Sequence, residues 1–323
     1  MPKDWKYQIK PLFEERMRKL LKDADDFDSF EKIVHTGPRN FIRCNTLKIS
    51  SDKLIKRLNK RWKVSQPFEN HKEIMVIESG LNPGDLGNAV EHLLGYYYVQ
   101  EISSMMSAIA LDVKPGDFVL DLCASPGSKT TQIAAMMNNE GTIIANDVAL
   151  DRIMILSANL ERMGVSNCVV TRNDAVVLCE RLMKTDFKFD KILLDAPCSG
   201  EGTLRSSPKT FLMWNPKVVK KLGRLQKKML ASAMKCLRKG GVLVYSTCTH
   251  APEENEEVVD FALKNFPVEV EKITLPLKCR SGLQEWEGEM FDKNVKKVCR
   301  IYPHDNDSEG FFVARFRLKE EIK

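Results

Sequence analysis

No stretch of this 323-residue chain stays apolar for the roughly 18 to 20 residues that a membrane-spanning helix requires. Its first ten residues, MPKDWKYQIK, contain no apolar core of a secretory signal. Membrane insertion and secretion are therefore not expected, and the expected location is the cytoplasm. A Cys-x-x-Cys pair is also missing. Nine cysteines spread from Cys44 to Cys299 without that spacing suggest neither a disulfide framework nor a tetrahedral zinc site. Free thiols in reducing surroundings, and no metal, are the expectation. The Gly-x-Gly-x-x-Gly fingerprint is absent, which argues against a nicotinamide dinucleotide. No internal repeat or low-complexity tract is present. What remains is the composition of an ordinary globular protein, 43% apolar and 29% charged, long enough for two domains or one large core with an appendage.

Acidic residues are scarce in two places. Residues 41–63 hold eight Lys or Arg against Asp52 alone, and residues 203–230 hold eight against none. Outside these blocks 34 basic and 43 acidic residues remain, a net −9, so the formal +6 of the whole chain comes entirely from the two blocks. Clustered cations are the electrostatic footprint of a phosphate backbone. Solvated helix faces are the alternative reading.

Leu12, Phe13, Met17, Leu20 and Leu21 recur at helical spacing and predict a helix over residues 8–23, expected to pack on the segment that follows. There, FIRCNTL, the helical run containing Leu54 and Leu58, and EIMVI at 73–77 read as strand, helix, strand, a small βαβ module with a basic helix. A Gly/Pro/Asn-rich loop at 79–88 and the aromatic run GYYYVQEISSMM at 95–106 place the domain boundary near residue 100, giving units 1–100 and 101–323. Beyond Gly116 the rhythm changes to short apolar strands alternating with helices: DFVLDL, GTIIAND, NCVVTRND, KILLDAP and GVLVYST. That alternation predicts an α/β fold with a mostly parallel, doubly wound sheet.

Ligands in such sheets bind outside the carboxyl ends of the strands. Asp121, Asp147, Asp174, Asp195 and Cys248 all fall there. The first strand-to-helix turn, Asp121 to Lys129, has one Gly and one Pro and no pyrophosphate cradle. Asp147 is suited to the hydroxyls of a ribose and Asp174 to an adenine amino group, although an aspartate at a strand end also serves as a helix N-cap. A nucleoside without a pyrophosphate fits, and S-adenosylmethionine suits that description better than NAD or ATP.

The fourth and fifth strands run into Asp195-Ala-Pro-Cys198 and Ser246-Thr247-Cys248. Two thiols beside an acid suggest chemistry on cytosine. Its C5 becomes nucleophilic only after a thiolate adds to C6, a covalent route that divides one hard step into easier ones. Asp195 could support N3 during the addition, and loss of the C5 proton before elimination needs a base, for which Cys198 is a candidate. A buried cysteine is otherwise a small hydrophobe, the reading given to Cys168, Cys179, Cys236 and Cys279.

The segments RCNTLK (43–48), YYVQEISSM (97–105), DLCASPGSKTTQ (121–132), DAPCSGEGTLR (195–205), STCTHAPEENEEVV (246–259) and PHDNDSEGFFVAR (303–315) together resemble the S-adenosylmethionine-dependent RNA cytosine-C5 methyltransferases of the Sun/Fmu type. The resemblance implies a Rossmann-like class I methyltransferase domain behind a small α+β module of RNA-recognition type. It implies that Cys248 is the nucleophile, that Cys198 assists product release, that Asp195 contacts the cytosine edge, and that Lys129 helps orient that acid. For the cofactor it implies Cys123, Ala124, Ser125, Pro126, Gly127, Ser128 and Lys129 around the methionine part, Asp147 on the ribose, Asp174 near the adenine, and Arg152 and Asp195 close by. The chain is expected to be a short form with no added C-terminal RNA-binding domain, monomeric, acting on tRNA in preference to rRNA. The base must be flipped out or single-stranded to reach the thiols. A non-catalytic RNA-binding factor on the same fold is the alternative, and a DNA methylase a third. Glu253, Glu254, Glu256 and Glu257, in the first turns of a helix expected from Pro252, are assigned structural roles, as is His250.

Overall fold

The computed structural model describes residues 9–185 and 187–322. It opens with α1 (Pro11–Leu21) and α2 (Ala24–Val34); Pro11 occupies the first turn of α1, and Asp23 caps α2 by accepting from the Asp25 amide. The apolar face of α1 lies against the large domain. Phe13 meets Phe211 and Trp214 edge-on at 5.8 and 5.3 Å, and buried Arg16 donates to both carboxylate oxygens of Glu253 at 3.0 and 2.8 Å. The predicted helix is thus present but does not pack on the small module: periodicity identifies a buried face, not its partner.

The small module contains β1 (Asn40–Cys44), α3 (Ser51–Leu58), β2 (Val64–Ser65), β3 (Ile74–Ile77), α4 (Val90–Leu93) and β4 (Tyr97–Val99). Its strands form a sheet in the order β2-β3-β1-β4 with every pairing antiparallel. The strand, helix, strand reading of 41–78 therefore needs correction as a βαβ unit. A hairpin through the two-residue β2, too short to show a period, turns β3 antiparallel to β1. Ile42, Leu54, Leu58, Trp62, Met75 and Tyr97 form the module's own core. Arg43 is another correction to the basic-surface reading. Only 1% exposed, it donates to the Ser128 carbonyl and Thr131 Oγ1, fastening the module to the large domain.

The large domain follows as α5 (Ile102–Leu111), β5 (Phe118–Asp121), α6 (Ser128–Met136), β6 (Thr142–Asp147), α7 (Leu150–Met163), β7 (Cys168–Arg172), α8 (Ala175–Leu182), β8 (Phe189–Asp195), α9 (Lys209–Met213), α10 (Pro216–Cys236) and β9 (Leu237–Thr247). The strands β9-β8-β5-β6-β7 are parallel in that spatial order, as the alternating rhythm predicts. One apolar layer draws on α1, α2, α8, α10 and their neighbours, the other on α5, α6 and α7. β5 lies between β6 and β8, so the chain reverses its sheet order there and opens a crevice at the strands' carboxyl ends.

After α11 (Glu256–Asn265) come β10 (Val268–Glu271), β11 (Arg280–Ser281), the hairpin β12 (Glu285–Trp286) and β13 (Glu289–Met290), β14 (Cys299–Ile301), α12 (Pro303–Asn306) and β15 (Phe311–Leu318). β15 runs antiparallel to β9 and carries β10 and β14 on its far edge. Cys279 and Cys299 are disulfide-bonded, their Cα atoms 5.1 Å apart. This corrects the expectation of free thiols and the buried-hydrophobe reading of Cys279. The β11–β14 pairing brings together residues 20 apart in sequence, a closeness that no local motif records. α11 starts at Glu256, so Glu253 and Glu254 precede it, correcting the helix expected from Pro252. No helix of the described residues is long and apolar enough to cross a membrane.

Candidate active site

The β5–α6 turn brings Lys129 into the crevice. Gly127 caps α6 at φ +100°, a left-handed conformation favoured by glycine, and a Cβ there would press on Leu156. The Ser125–Pro126 peptide is cis. Asp121, at the end of β5, accepts from Thr130 Oγ1 at 2.7 Å, and burial pushes its carboxyl up to about 7.

A cleft of about 360 Å³ lies over the ends of β6, β7 and β8. Cys123, Ser125, Asp147, Arg152, Asp174 and Asp195 of the predicted cofactor set border it, together with Cys198 and Cys248. Ala124, Pro126, Gly127 and Ser128 shape the turn without lining the cleft: Ala124 donates its amide to Asn146, and the Pro126 carbonyl accepts from Asn159. Asp147 is 4% exposed, and both its oxygens are engaged by Arg152 Nε at 3.0 and 3.1 Å, by Ser125 N at 3.2 Å and by Val148 N at 2.9 Å. A buried carboxylate requires such partners. Arg152 is therefore the clamp on Asp147. Asp174 caps α8 through Oδ1, accepting from Val176 and Val177, so its capping role is real and it also borders the cleft.

A second cavity, about 390 Å³, adjoins the first. It shares Asp195 and Cys248 with the first, and adds Lys129, Ser104, Phe41, Glu101, Glu309 and Phe311. Lys129 Nζ is 2.7 Å from Asp195 Oδ2 and donates to Ser104 Oγ at 2.8 Å, while Ser246 Oγ donates to Asp195 Oδ1 at 2.7 Å. Burial alone would lower the Lys129 ammonium, but the Asp195 carboxylate more than offsets it and the pKa lies above the usual lysine value. Lys129 is charged at neutral pH. The Cys198 and Cys248 sulfurs are 3.2 Å apart. The hydrogen bond to Cys248, then burial, pushes the Cys198 thiol well above its ordinary range, so Cys198 holds its proton.

The sequence matches the family model of 16S rRNA methyltransferase RsmB/F over residues 108–317, and that of the N-terminal domain of 16S rRNA methyltransferase RsmF over residues 9–102. The chain belongs to the RsmB/F methyltransferase family. It is 40% identical over 315 residues to the tRNA (cytosine(49)-C(5))-methyltransferase of Pyrococcus abyssi, covering 97% of this chain and 99% of that one. To the Ribosomal RNA small subunit methyltransferase F of Erwinia tasmaniensis it is 39% identical over 313 residues, spanning 95% of this chain and 63% of that protein. Among solved structures, a methyltransferase homolog protein from Pyrococcus horikoshii superposes with a TM-score of 0.83 at 34% identity, covering 97% of this chain and 96% of that one. NSun6 from Pyrococcus horikoshii with SFG gives 0.81 at 26% identity, covering 95% and 97%.

In this methyltransferase the sequence reasoning missed the residues that position others. Glu101 caps α5 through the amides of Ser103 and Ser104 and accepts from the Glu309 amide, so two walls of the second cavity are tied together. Both glutamates lie within quoted motifs, but nothing in their spacing reveals that they meet. Leu225 and Met229 of α10 line the first cleft, where sequence shows only an amphipathic helix. His250 stacks on Tyr302 at 4.9 Å, and burial lowers it to about 3; it is neutral packing. Among the described residues no cluster of His, Cys, Asp and Glu could hold a metal.

Proposed function

We propose that this RNA cytosine-C5 methyltransferase works through a covalent bond between Cys248 and C6 of the target base, uses S-adenosylmethionine, and acts on tRNA. The observation that carries the reading is that two cavities meet at Cys248 and Asp195, with Cys198 at 3.2 Å. One cavity suits a cofactor and the other a flipped base.

The first cleft fits S-adenosylmethionine. Leu122, Pro197, Leu225 and Met229 offer apolar surface, Asp147 and Asp174 offer carboxylates for hydroxyl and amino groups, and Arg152, the one cation bordering it among the described residues, is committed to Asp147. When bound, that cofactor supplies an electrophilic methyl group. The chain's own residues do most of the rest. Cys248 Sγ bonds to C6, which moves electron density to C5. Asp195, paired with an ammonium, serves as acceptor for the exocyclic amino group, and Lys129 is the adjacent N–H donor for the ring. After methylation a solvent base takes the C5 proton, and its bonding electrons form the C5–C6 double bond. The Cys248–C6 bond breaks with the Cys248 thiolate as leaving group, to which the protonated Cys198 thiol, 3.2 Å away, donates and so assists the release.

The preference for tRNA rests on the 40% identity over 315 residues to the tRNA-modifying relative from Pyrococcus abyssi. Labelled methyl transfer to unmodified tRNA and rRNA, with nucleoside analysis, tests it: 5-methylcytidine in tRNA is expected, and label in rRNA alone refutes the substrate. Cys198→Ala should accumulate an enzyme–RNA adduct through Cys248 that Cys248→Ala abolishes. A scaffold that had lost turnover would give no adduct at all.

A further inference from the structure

Around Cys198 the structure contains a device that the reaction as described does not use. Gln226, on α10, is fully buried and donates through Nε2 both to the Pro197 carbonyl at 2.9 Å and to Glu254 Oε2 at 2.8 Å. The same Glu254 oxygen accepts the Ser199 amide at 3.0 Å. The peptide groups on either side of Cys198 are therefore both held by one buried amide–carboxylate pair. Glu254 is fixed in turn, because its backbone carbonyl accepts from the Tyr245 hydroxyl at 2.5 Å. A third tie, Ser199 Oγ to Thr249 Oγ1 at 2.8 Å, links the two cysteine loops directly. Glycines allow the close approach: a Cβ on Gly202 would strike the Gly310 and Cys248 carbonyls.

A buried carboxyl is an expensive way to hold a loop. Burial pushes Glu254 up to about 7 even with hydrogen bonds from Ser199 and Gln226, and its Oε1 has no partner. An apolar pair would pack there at lower cost, but could not grip two peptide groups in defined directions. We infer that Glu254 and Gln226 are positioning residues for Cys198, setting the 3.2 Å sulfur–sulfur approach on which release of the methylated base from Cys248 depends. The inference rests on the covalent reading above. Neither residue touches the reacting atoms; both act through the Cys198 loop, where a displacement near 1 Å costs about a hundredfold in a positioned step.

The test is the fate of the covalent intermediate. Gln226→Leu and Glu254→Ala, incubated with unmodified RNA and S-adenosylmethionine, are followed by denaturing gel for adduct and by single-turnover methyl transfer. Cys198→Ala is the positive control. The expected result is adduct accumulation approaching that of Cys198→Ala, multiple-turnover rate lowered roughly 10- to 100-fold, and first-turnover methylation within about threefold of wild type. Glu254→Gln, which keeps an acceptor for Ser199, should restore most of the turnover. Variants that lose first-turnover methylation and turnover equally, without adduct, would reduce both residues to general packing and overturn the inference. Should Glu254→Ala fail to fold, the comparison of Gln226→Leu with Glu254→Gln decides in the same way. Absence of adduct in Cys198→Ala itself would instead refute the covalent reading, so the two failures are distinguishable.

Discussion

Arg16 offers a direct measure of whether the N-terminal helix belongs energetically to the large domain. Its guanidinium donates to both oxygens of Glu253, lies 5.3 Å from the centre of the Trp286 ring, and is 7% exposed; Glu253 is 5% exposed. Arg16→Ala removes the cation and leaves the carboxylate buried. Removing one member of such a pair costs about 3 to 5 kcal/mol, most of it the uncompensated charge left behind. With an unfolding entropy near 2.1 cal/mol/K per residue over 323 residues, the melting temperature should fall by roughly 4 to 7 °C. Urea unfolding and calorimetry measure the loss, and the double variant Arg16→Ala with Glu253→Gln should recover most of it, because no buried charge then lacks a partner. A loss below about 1 kcal/mol in the single variant, or no recovery in the double, would refute the assignment of α1 to the large domain's core.

Two further outcomes follow from the charges. Asp121 holds its proton up to about 7 in the folded state, against 3.8 ordinarily. Between those values the folded chain binds more protons than the unfolded one, so this group's contribution to stability falls as pH rises from about 4 to 7 and is constant above. Asp121→Asn removes that dependence, and its stability relative to wild type should rise across that window by up to roughly 4 kcal/mol; parallel stability curves would show the carboxyl to be unperturbed. On α10, Lys220, Lys221 and Lys228 are exposed, and charge reversal at all three should weaken binding of every RNA while flattening the salt dependence by about two units of log–log slope. Unchanged binding would return that face to simple solvation.

Some charge readings from sequence survive in the structure better than others. Within the 41–63 block, Arg43 is buried, Lys48 donates to the Leu94 and Arg162 carbonyls, and Arg57 pairs with Glu91, so part of the apparent phosphate-binding surface is spent on the chain itself. In the second block Arg205 is buried against Asp307 and Lys227 pairs with Glu257, whereas Lys217, Lys220, Lys221 and Lys228 of α10 stay in solvent. Counting charges along a segment cannot separate these cases, since a cation's partner is generally distant in sequence.

The chain's local chemistry fixed a good deal. Alternating apolar strands and helices specified the parallel sheet, because a period of residues reports directly on which face each element buries. The residues at the strand ends, Asp195, Cys198 and Cys248 above all, were legible for the same reason: a strand's end is a place on the sheet, and ligands bind there. Tertiary structure alone decided the rest. That α1 docks on the large domain, that β3 runs against β1, that Cys279 reaches Cys299, and that Gln226 and Glu254 grip the peptides beside Cys198 all depend on contacts between segments far apart in the chain. Such pairings are selected by packing and by the need of every buried polar group for a partner, and those conditions are met only once the whole fold has closed.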